Sequence, residues 1–350
     1  MAATSPTASD TTAGPATSRR TRGGARSLGR RFLTLREGSI IVVTLIAAVY
    51  FSTQTSRFLT TASFQTLLPF FAPYAIIAAG EVFVMINGEI DLSVGTMGLF
   101  TAFWFHDIHS WGIPLAPALI LALASALALG AFNGFMTAYV GISSFVTTLG
   151  MLFFLGGLTL VLSHSTQVNL PGTSILGKGT FESIFGRGTY SELFWALGIV
   201  ILLQVILSFT RWGIHTVAVG SNRIGAAEAG IKVRGNLMRN FMMCAMLAGV
   251  AGILENVRAI TLNPDPSATS NYLFLSISAA VIGGTLLQGG SGTVVGALIG
   301  ALFLGILTDG LTLIGTSADH RDLFLGLAIV IAMVINTYVT RVRTGAAGHG

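Results

Sequence analysis

The chain has 350 residues, 52% of them hydrophobic and only 9% charged, with a mean hydropathy of +0.77. Soluble domains carry about 25% charged residues, so this composition excludes a water-solvated globule and predicts an all-α integral membrane protein. The net charge of +5 does not mark a nucleic-acid binder, because the basic residues cluster at the N-terminus and in one central segment, and the single cysteine, Cys244, excludes an intrachain disulfide or a cysteine-based zinc site.

In chain order, residues 1–38 come first, with Arg19, Arg20, Arg22, Arg26, Arg30, Arg31 and Arg36 among Ala, Ser, Thr and Gly. Such a segment has too little apolar surface to fold alone and is expected to be a disordered cytoplasmic tail. Its composition is like that of a transit peptide, and "RRFL" loosely matches a twin-arginine signal. The first apolar run, 39–53, lacks a convincing small-residue cleavage site after it and is expected to stay as the first membrane anchor. Further runs fall at about 64–87, 92–106, 113–139, 143–163, 193–210, 240–258, 273–288, 292–308 and 322–340. Together they predict a bundle of about ten transmembrane helices over 39–340. Several runs are shorter than the roughly 20 residues that span a bilayer, and 92–106 is the weakest of them.

The distribution of positive charge supports the even count. With both termini in the cytoplasm, residues 1–38, the loop 211–239 and the C-terminal tail 341–350 hold 14 of the 19 Lys and Arg residues. One span more or fewer would put Arg341 and Arg343 on the opposite side from the central loop, against the positive-inside rule. Trp104 and Trp111 sit at an expected membrane boundary, as an aromatic belt requires.

The stretch "VMINGEIDLSVG" (84–95) carries the strongest local signal. A carboxylate at the bilayer centre costs about 2.5–3.5 kcal/mol on insertion scales, yet Glu89 and Asp91 stand two apart between apolar runs. Asn87 precedes them and Gly88 and Gly95 flank them, which predicts an interrupted helix whose backbone turns at a protected cavity. A solvated turn near the cytoplasmic end is the plainer alternative.

Other motifs weigh less. "GTSILGKG" (172–179) nearly matches a phosphate-binding loop but has Gly179 in place of Ser or Thr, and it falls on the expected outer side. "HDIH" (106–109) offers two histidines three apart without a third metal ligand, and no HExxH occurs. The loop 211–239 contains "RIGAAEAGIKV", where a short helix from about Ile224 to Ala229, ended by Gly230, is a candidate docking element, a plain solvated loop being the simpler reading of these residues alone. In "GTVVGALIGALFLG" (292–305), Gly292, Gly296 and Gly300 stand four apart, a spacing that favours close helix packing.

At this point four stretches identify a resemblance. "GEIDLSVG" (88–95), "FNGFMTAYVGISSFVTTLGM" (132–151, with Asn133 and Gly134), "VGSNRIGAAEAGIKV" (219–233) and the glycine-rich run 279–315 resemble the signatures of the membrane permease subunits of bacterial ABC importers for ribose, xylose, autoinducer-2 and similar sugars. The resemblance covers about residues 62 to 340. It implies a bacterial inner-membrane location and a pathway formed with a second permease copy. It also implies a separate ABC ATP-binding subunit docked on the coupling segment and an extracytoplasmic sugar-binding protein. No cofactor is expected in this chain, ATP and Mg belonging to the partner. By position, Ala226, Ala227, Glu228, Gly230 and Ile231 fall on the coupling pattern, and Gly88, Glu89, Asp91, Ser93, Gly95 and Asn133 on the signature turn and pathway.

Three departures stand out. Glu89 occupies a position where many members carry glycine, the xylose-type permeases looking closest in having Glu. Asp309 replaces a commoner asparagine, and Glu228 and Ala229 alter the middle of the coupling pattern. Neutral sugars need no counter-charge, so Asp91 and Ser93 are expected to fix the turn. The expected function is therefore an ATP-driven monosaccharide permease, a pentose being favoured. The rival is a proton-coupled secondary transporter using Glu81, Glu89 or Asp91.

Overall fold

The computed structural model describes residues 37–169, 178–186 and 190–347. Helices dominate them: α1 (Gly38–Gln54), α2 (Thr61–Ile86), α3 (Val94–Ser110), α4 (Leu115–Phe135, continued by a π-helical turn Met136–Val140) and α5 (Ser144–Leu162). A two-residue strand β1 (Val168–Asn169) precedes α6 (Lys178–Phe185), α7 (Ser191–Phe209), α8 (Arg211–Ser221), α9 (Arg223–Glu228) and α10 (Val233–Ala259). Strand β2 (Thr261–Leu262), a 3-10 turn (Pro266–Thr269), α11 (Ser270–Ile282), α12 (Val294–Leu313) and α13 (Ala318–Ala347) complete the order. Strands β1 and β2 pair antiparallel, Val168 opposite Leu262 and Asn169 opposite Thr261, a small exception to the all-α expectation.

Each of the ten apolar runs falls on a helix. Among the described residues, six of these helices (α2, α4 with its π-helical turn, α5, α7, α10 and α12) are long and apolar enough to cross a membrane. α2 is the axis of the bundle. From Phe71 to Ile86 all its residues are buried, packed against α10, α11, α12 and α7. α4, α5 and α7 instead expose apolar side chains such as Phe153, Phe194 and Ile201. In water such surface would drive aggregation, and it suits a lipid surround. Two prolines, Pro69 and Pro73, lie inside α2, a placement that helical neighbours in a membrane bundle tolerate.

The structure corrects four boundaries. The segment 211–239 is not a loop with one short helix. It is α8, then α9, then the first two turns of α10. α8 forms because Thr210 caps it, accepting from the Gly213 N–H, and because Gly213, Thr216 and Val219 give it a buried face. Run 273–288 is helical only to Ile282; residues 283–293 form a connection rich in glycine. Gly292 therefore precedes α12, where Thr293 is the N-cap, and does not belong to a helical glycine stripe. Residues 341–347 continue α13 instead of forming a separate tail. Of the expected N-terminal tail, residues 1–36 lie outside the described residues, and Gly38 already opens α1; most of 172–179 also lies outside them.

Candidate functional site

The helix break expected at Glu89 and Asp91 is present. α2 stops at Ile86 and α3 starts at Val94, leaving seven residues of non-helical backbone. Unpaired peptide groups in a membrane bundle are costly unless side chains reach them, and here α5 supplies two hydroxyls one turn apart. Ser144 Oγ accepts from the Ile90 N–H at 3.3 Å, and Thr148 Oγ1 accepts from the Leu92 N–H at 3.0 Å. Asp91 is fully buried. Its Oδ1 accepts from the Ser93 N–H at 2.9 Å and from the Ser93 hydroxyl at 2.5 Å, an Asx-type closure that starts α3. Asn133 of α4 reaches across and donates from Nδ2 to Ser93 Oγ at 3.1 Å. Three of the expected site residues, Asp91, Ser93 and Asn133, thus form one buried cluster. Glu81, fully buried on α2, faces Asp91 and the Cys244 thiol.

Gly88 and Gly95 serve different ends. Gly88 has φ +75 and closes the end of α2. Gly95 packs so close to the 3-10 turn that a Cβ there would lie 2.4 Å from the Thr269 carbonyl oxygen.

Glu89 parts company with Asp91. Its Oε1 accepts at 2.5 Å from Nη2 of Arg223, the first residue of α9, and the same Nη2 donates to the Asn87 carbonyl at 2.7 Å. Behind this ion pair lies a chain of buried amides. Asn240 Nδ2 donates to Asn87 Oδ1 at 2.5 Å, Asn87 Nδ2 to the Thr216 carbonyl at 3.0 Å, and Trp212 Nε1 to Asn240 Oδ1 at 2.7 Å. The signature turn is therefore bonded to α8, α9 and α10 at one end of the bundle. Asn87 was read as part of the break without a partner, and Arg223, Asn240, Ser144 and Thr148 were not singled out from the sequence. The signal for the last two was a pair of hydroxyls at i and i+4 in the first turns of a mostly apolar helix; nothing local pointed to Arg223.

α9 is a short projecting helix. Asn222 caps it by accepting from the Gly225 N–H at 3.0 Å. At its C-terminus Gly230, with φ +81, turns the chain so that the Gly230 and Ile231 N–H groups reach the Ala227 and Ala226 carbonyls. Ala226 is buried beneath it, while Ala227, Glu228 and Gly230 are exposed and Ile224 is 73% exposed, an outward apolar side chain on a charged segment. The connection 283–293 meets the turn from the other side. The Gly290 N–H donates to the Ile86 carbonyl at 2.7 Å. Gly292 lies against Ile86 and Thr285, whereas Gly296 and Gly300 pack on Gly283 and Ala279 of the α11 end.

The remaining candidates do not converge. His106 Nδ1 lies 3.3 Å from Asp107 and His109 Nδ1 is 2.8 Å from the Ile113 carbonyl, and no metal-holding cluster of three or more acidic, His or Cys residues occurs among the described residues. Trp104 donates to Ser125 Oγ and meets Trp111 edge-on, with Trp111 exposed at the helix end. Asp309 accepts from the Ser63 hydroxyl at 2.7 Å.

A helical bundle with apolar flanks, broken at depth around a buried acid and tied there to an exposed short helix, has the build of a polytopic membrane transport subunit. The family model described as "Branched-chain amino acid transport system / permease component" matches residues 63–333, and the chain belongs to that family. It is 33% identical over 320 residues to the xylose/arabinose import permease protein XylH of Sulfolobus acidocaldarius, covering 89% of this chain and 86% of that protein. The ribose import permease protein RbsC of Escherichia coli is 32% identical over 88% of this chain and 97% of its own length. The D-allose transport system permease protein AlsC of the same organism is 26% identical over 87% and 92%. Within the family the chain stands with inner-membrane permeases of ribose- and xylose-type ABC importers. No solved structure matches it significantly.

Proposed function

We propose that this chain is the membrane-spanning half of an ATP-driven importer of a monosaccharide, with a pentose favoured. In this reading two permease copies form the pathway, a separate subunit hydrolyses ATP and an external binding protein delivers the sugar. Both termini and the α8–α9 end face the cytoplasm, and the ten helices that carry the apolar runs cross the membrane. The observation that carries the proposal is the Arg223 bridge, one guanidinium nitrogen bonded to both the Asn87 carbonyl and Glu89. It fastens an exposed helix suited to docking directly onto the broken helix of the pathway. A pull on α9 would be transmitted to the α2–α3 break without passing through a long flexible loop. The similarity to permeases whose names specify xylose, arabinose and ribose supports the choice of cargo.

Asp91, Ser93 and Asn133 act as the structural lock of the turn, since their hydrogen bonds are directed at one another. Closure of the ATPase pair would move α9, shift the turn, and repack α12 against α11 along Gly296 and Gly300, exposing the pathway to alternate sides.

The test is uptake of labelled pentose into vesicles holding the permease, its ATPase and its binding protein. Uptake should require ATP and persist when a protonophore collapses the proton gradient. Uptake that needs the gradient and proceeds without ATPase subunit would replace this reading with proton coupling through buried acids such as Glu81.

A further inference from the structure

At the end of the bundle opposite α8 and α9, a cavity of about 170 Å³ lies between α3, α10, the 3-10 turn and α11. Water occupies roughly 30 Å³ per molecule in the liquid, so the space holds a handful of waters or one small solute; it is too small for a lipid or an oligosaccharide. Its two sides differ in chemistry. One is a seam of small residues where α3 and α10 touch: a Cβ on Gly252 would lie 2.1 Å from the Gly98 carbonyl oxygen. The other presents carboxylates, amides and hydroxyls, chiefly Glu255, Asn256, Asp265 and Tyr272.

These polar groups are held in place by their neighbours. Glu255 is paired with Arg258, which also lies 3.5 Å from the buried Glu192. The Tyr272 ring stacks on Tyr74 with centroids 5.2 Å apart, and its hydroxyl lies within hydrogen-bonding reach of Glu255. Asn256 donates to the Gly252 carbonyl at 2.6 Å, which leaves its Oδ1 as an acceptor. Asp265 accepts from the Ser267 N–H and hydroxyl, which hold its carboxyl below the usual carboxylate range. Beside them Ile260, a β-branched residue, sits at φ +71, a strained conformation of the kind that collects at functional sites.

We infer that this cavity is a solute subsite of the permease, built for one neutral polyhydroxylated molecule the size of a single monosaccharide, with Asn256, Asp265, Glu255 and Tyr272 contacting its hydroxyls. Sugar hydroxyls both donate and accept, so a rim of carboxylate acceptors, an amide and a phenol beside a small-residue wall suits them. Arg258 offsets Glu255, and Asp265 directs one of its carboxylate oxygens to the Ser267 N–H and hydroxyl. Position adds a second argument. Ile77 and Ala248 line the cavity, and one helical turn beyond them lie Glu81 and Cys244, beside Asp91. Ile77 and Ala248 thus stand between the cavity and the buried acids beside the broken helix. This inference rests on the proposed import function and specifies where the sugar waits before the turn moves.

The sole native cysteine is fully buried, so Ala268→Cys places a single accessible thiol on the cavity rim. In the assembled importer, D-xylose or D-ribose should slow labelling of that thiol by a methanethiosulfonate reagent several-fold, and a simple organic cation such as choline should not. Labelling at the same rate with and without saturating pentose would overturn the subsite, and protection by choline would replace the neutral solute with a cation. A second measurement covers a poorly assembling thiol variant. Asp265→Asn keeps the Ser267 cap, and with Asn256→Asp it should change the xylose-to-ribose uptake ratio about tenfold, the worth of one charged hydrogen bond. Both uptakes falling in equal proportion, or neither changing, would contradict contact with the solute. A wild-type importer that takes up no pentose with ATP would sink the proposed function instead, a result separable from protection of the thiol.

Discussion

The two breaks in the bundle, residues 87–93 and 283–293, do the same mechanical job by different means. The first is built from side chains. Asp91 closes on Ser93, Asn133 reaches Ser93, and Ser144 and Thr148 satisfy the backbone of Ile90 and Leu92. The second is built chiefly from backbone, with Gly284, Gly289 and Gly290 at φ +97, +89 and +80 and a main-chain bond from Gly290 to Ile86, side chains entering at its exit, where Thr293 and Gln204 cap α12. They meet at Ile86, so the polar break can be held rigid by hydrogen bonds while the glycine break yields to it. A membrane chain needs both, because an exposed peptide group in lipid has no water to turn to.

This comparison can be broken at several places. The largest effect is expected from Asp91→Ala, which leaves the Ser93 N–H and hydroxyl without their acceptor in a fully buried site. Each such loss costs about 1–3 kcal/mol, and uptake should vanish while the protein still inserts, as read by membrane fractionation and transport assay; normal uptake would remove Asp91 from the lock. Next comes Gly290→Ala. A Cβ there meets Ser221 Oγ at 3.1 Å and Ser221 Cα at 3.3 Å in a backbone region that disfavours side chains. Strain of about 1–3 kcal/mol should lower the thermal midpoint of the detergent-solubilised chain, and an unchanged midpoint would show the glycine break to be slack.

Gly230→Glu adds a charged side chain at a left-handed position open to solvent. It should leave ATP hydrolysis running while uptake falls; ATPase assembly and transport both at wild-type levels would argue against docking at α9. The smallest stability effect belongs to Arg223→Ala. Arg223 is 47% exposed, and partly exposed pairs contribute no more than about 1 kcal/mol. Denaturation should hardly shift, whereas sugar moved per ATP should drop severalfold.

The two breaks also differed in how far the sequence revealed them. Two acids, an asparagine and two glycines inside an apolar context made the first break legible, because charged groups in lipid demand an explanation. The second reads as more apolar helix, since "GGTLLQGGSG" contains no charge and its glycines suit packing as well as turning. α8 was hidden for the opposite reason. Its basic first residue and mixed interior look solvated, and it takes the Thr210 cap together with burial of Gly213, Thr216 and Val219 against the bundle to make it an ordered helix. The short helix before Gly230 was legible from local capping chemistry. The Glu89–Arg223 pair was not, since 134 residues separate its members and only the fold brings them together. The cavity at the opposite end was equally silent: its polar residues come from α10, α11 and the 3-10 turn, each an ordinary helix end when read alone.

The account stands on the claim that the broken helix and α9 move as one body through the Glu89–Arg223 contact. The direct measurement is a charge-swap cycle in vesicles carrying the whole importer, comparing Glu89→Arg, Arg223→Glu and the double exchange by sugar transported per ATP hydrolysed. The prediction is that each single change uncouples hydrolysis from uptake and the double exchange recovers most of the coupling. A double exchange as poor as its two singles combined would contradict it.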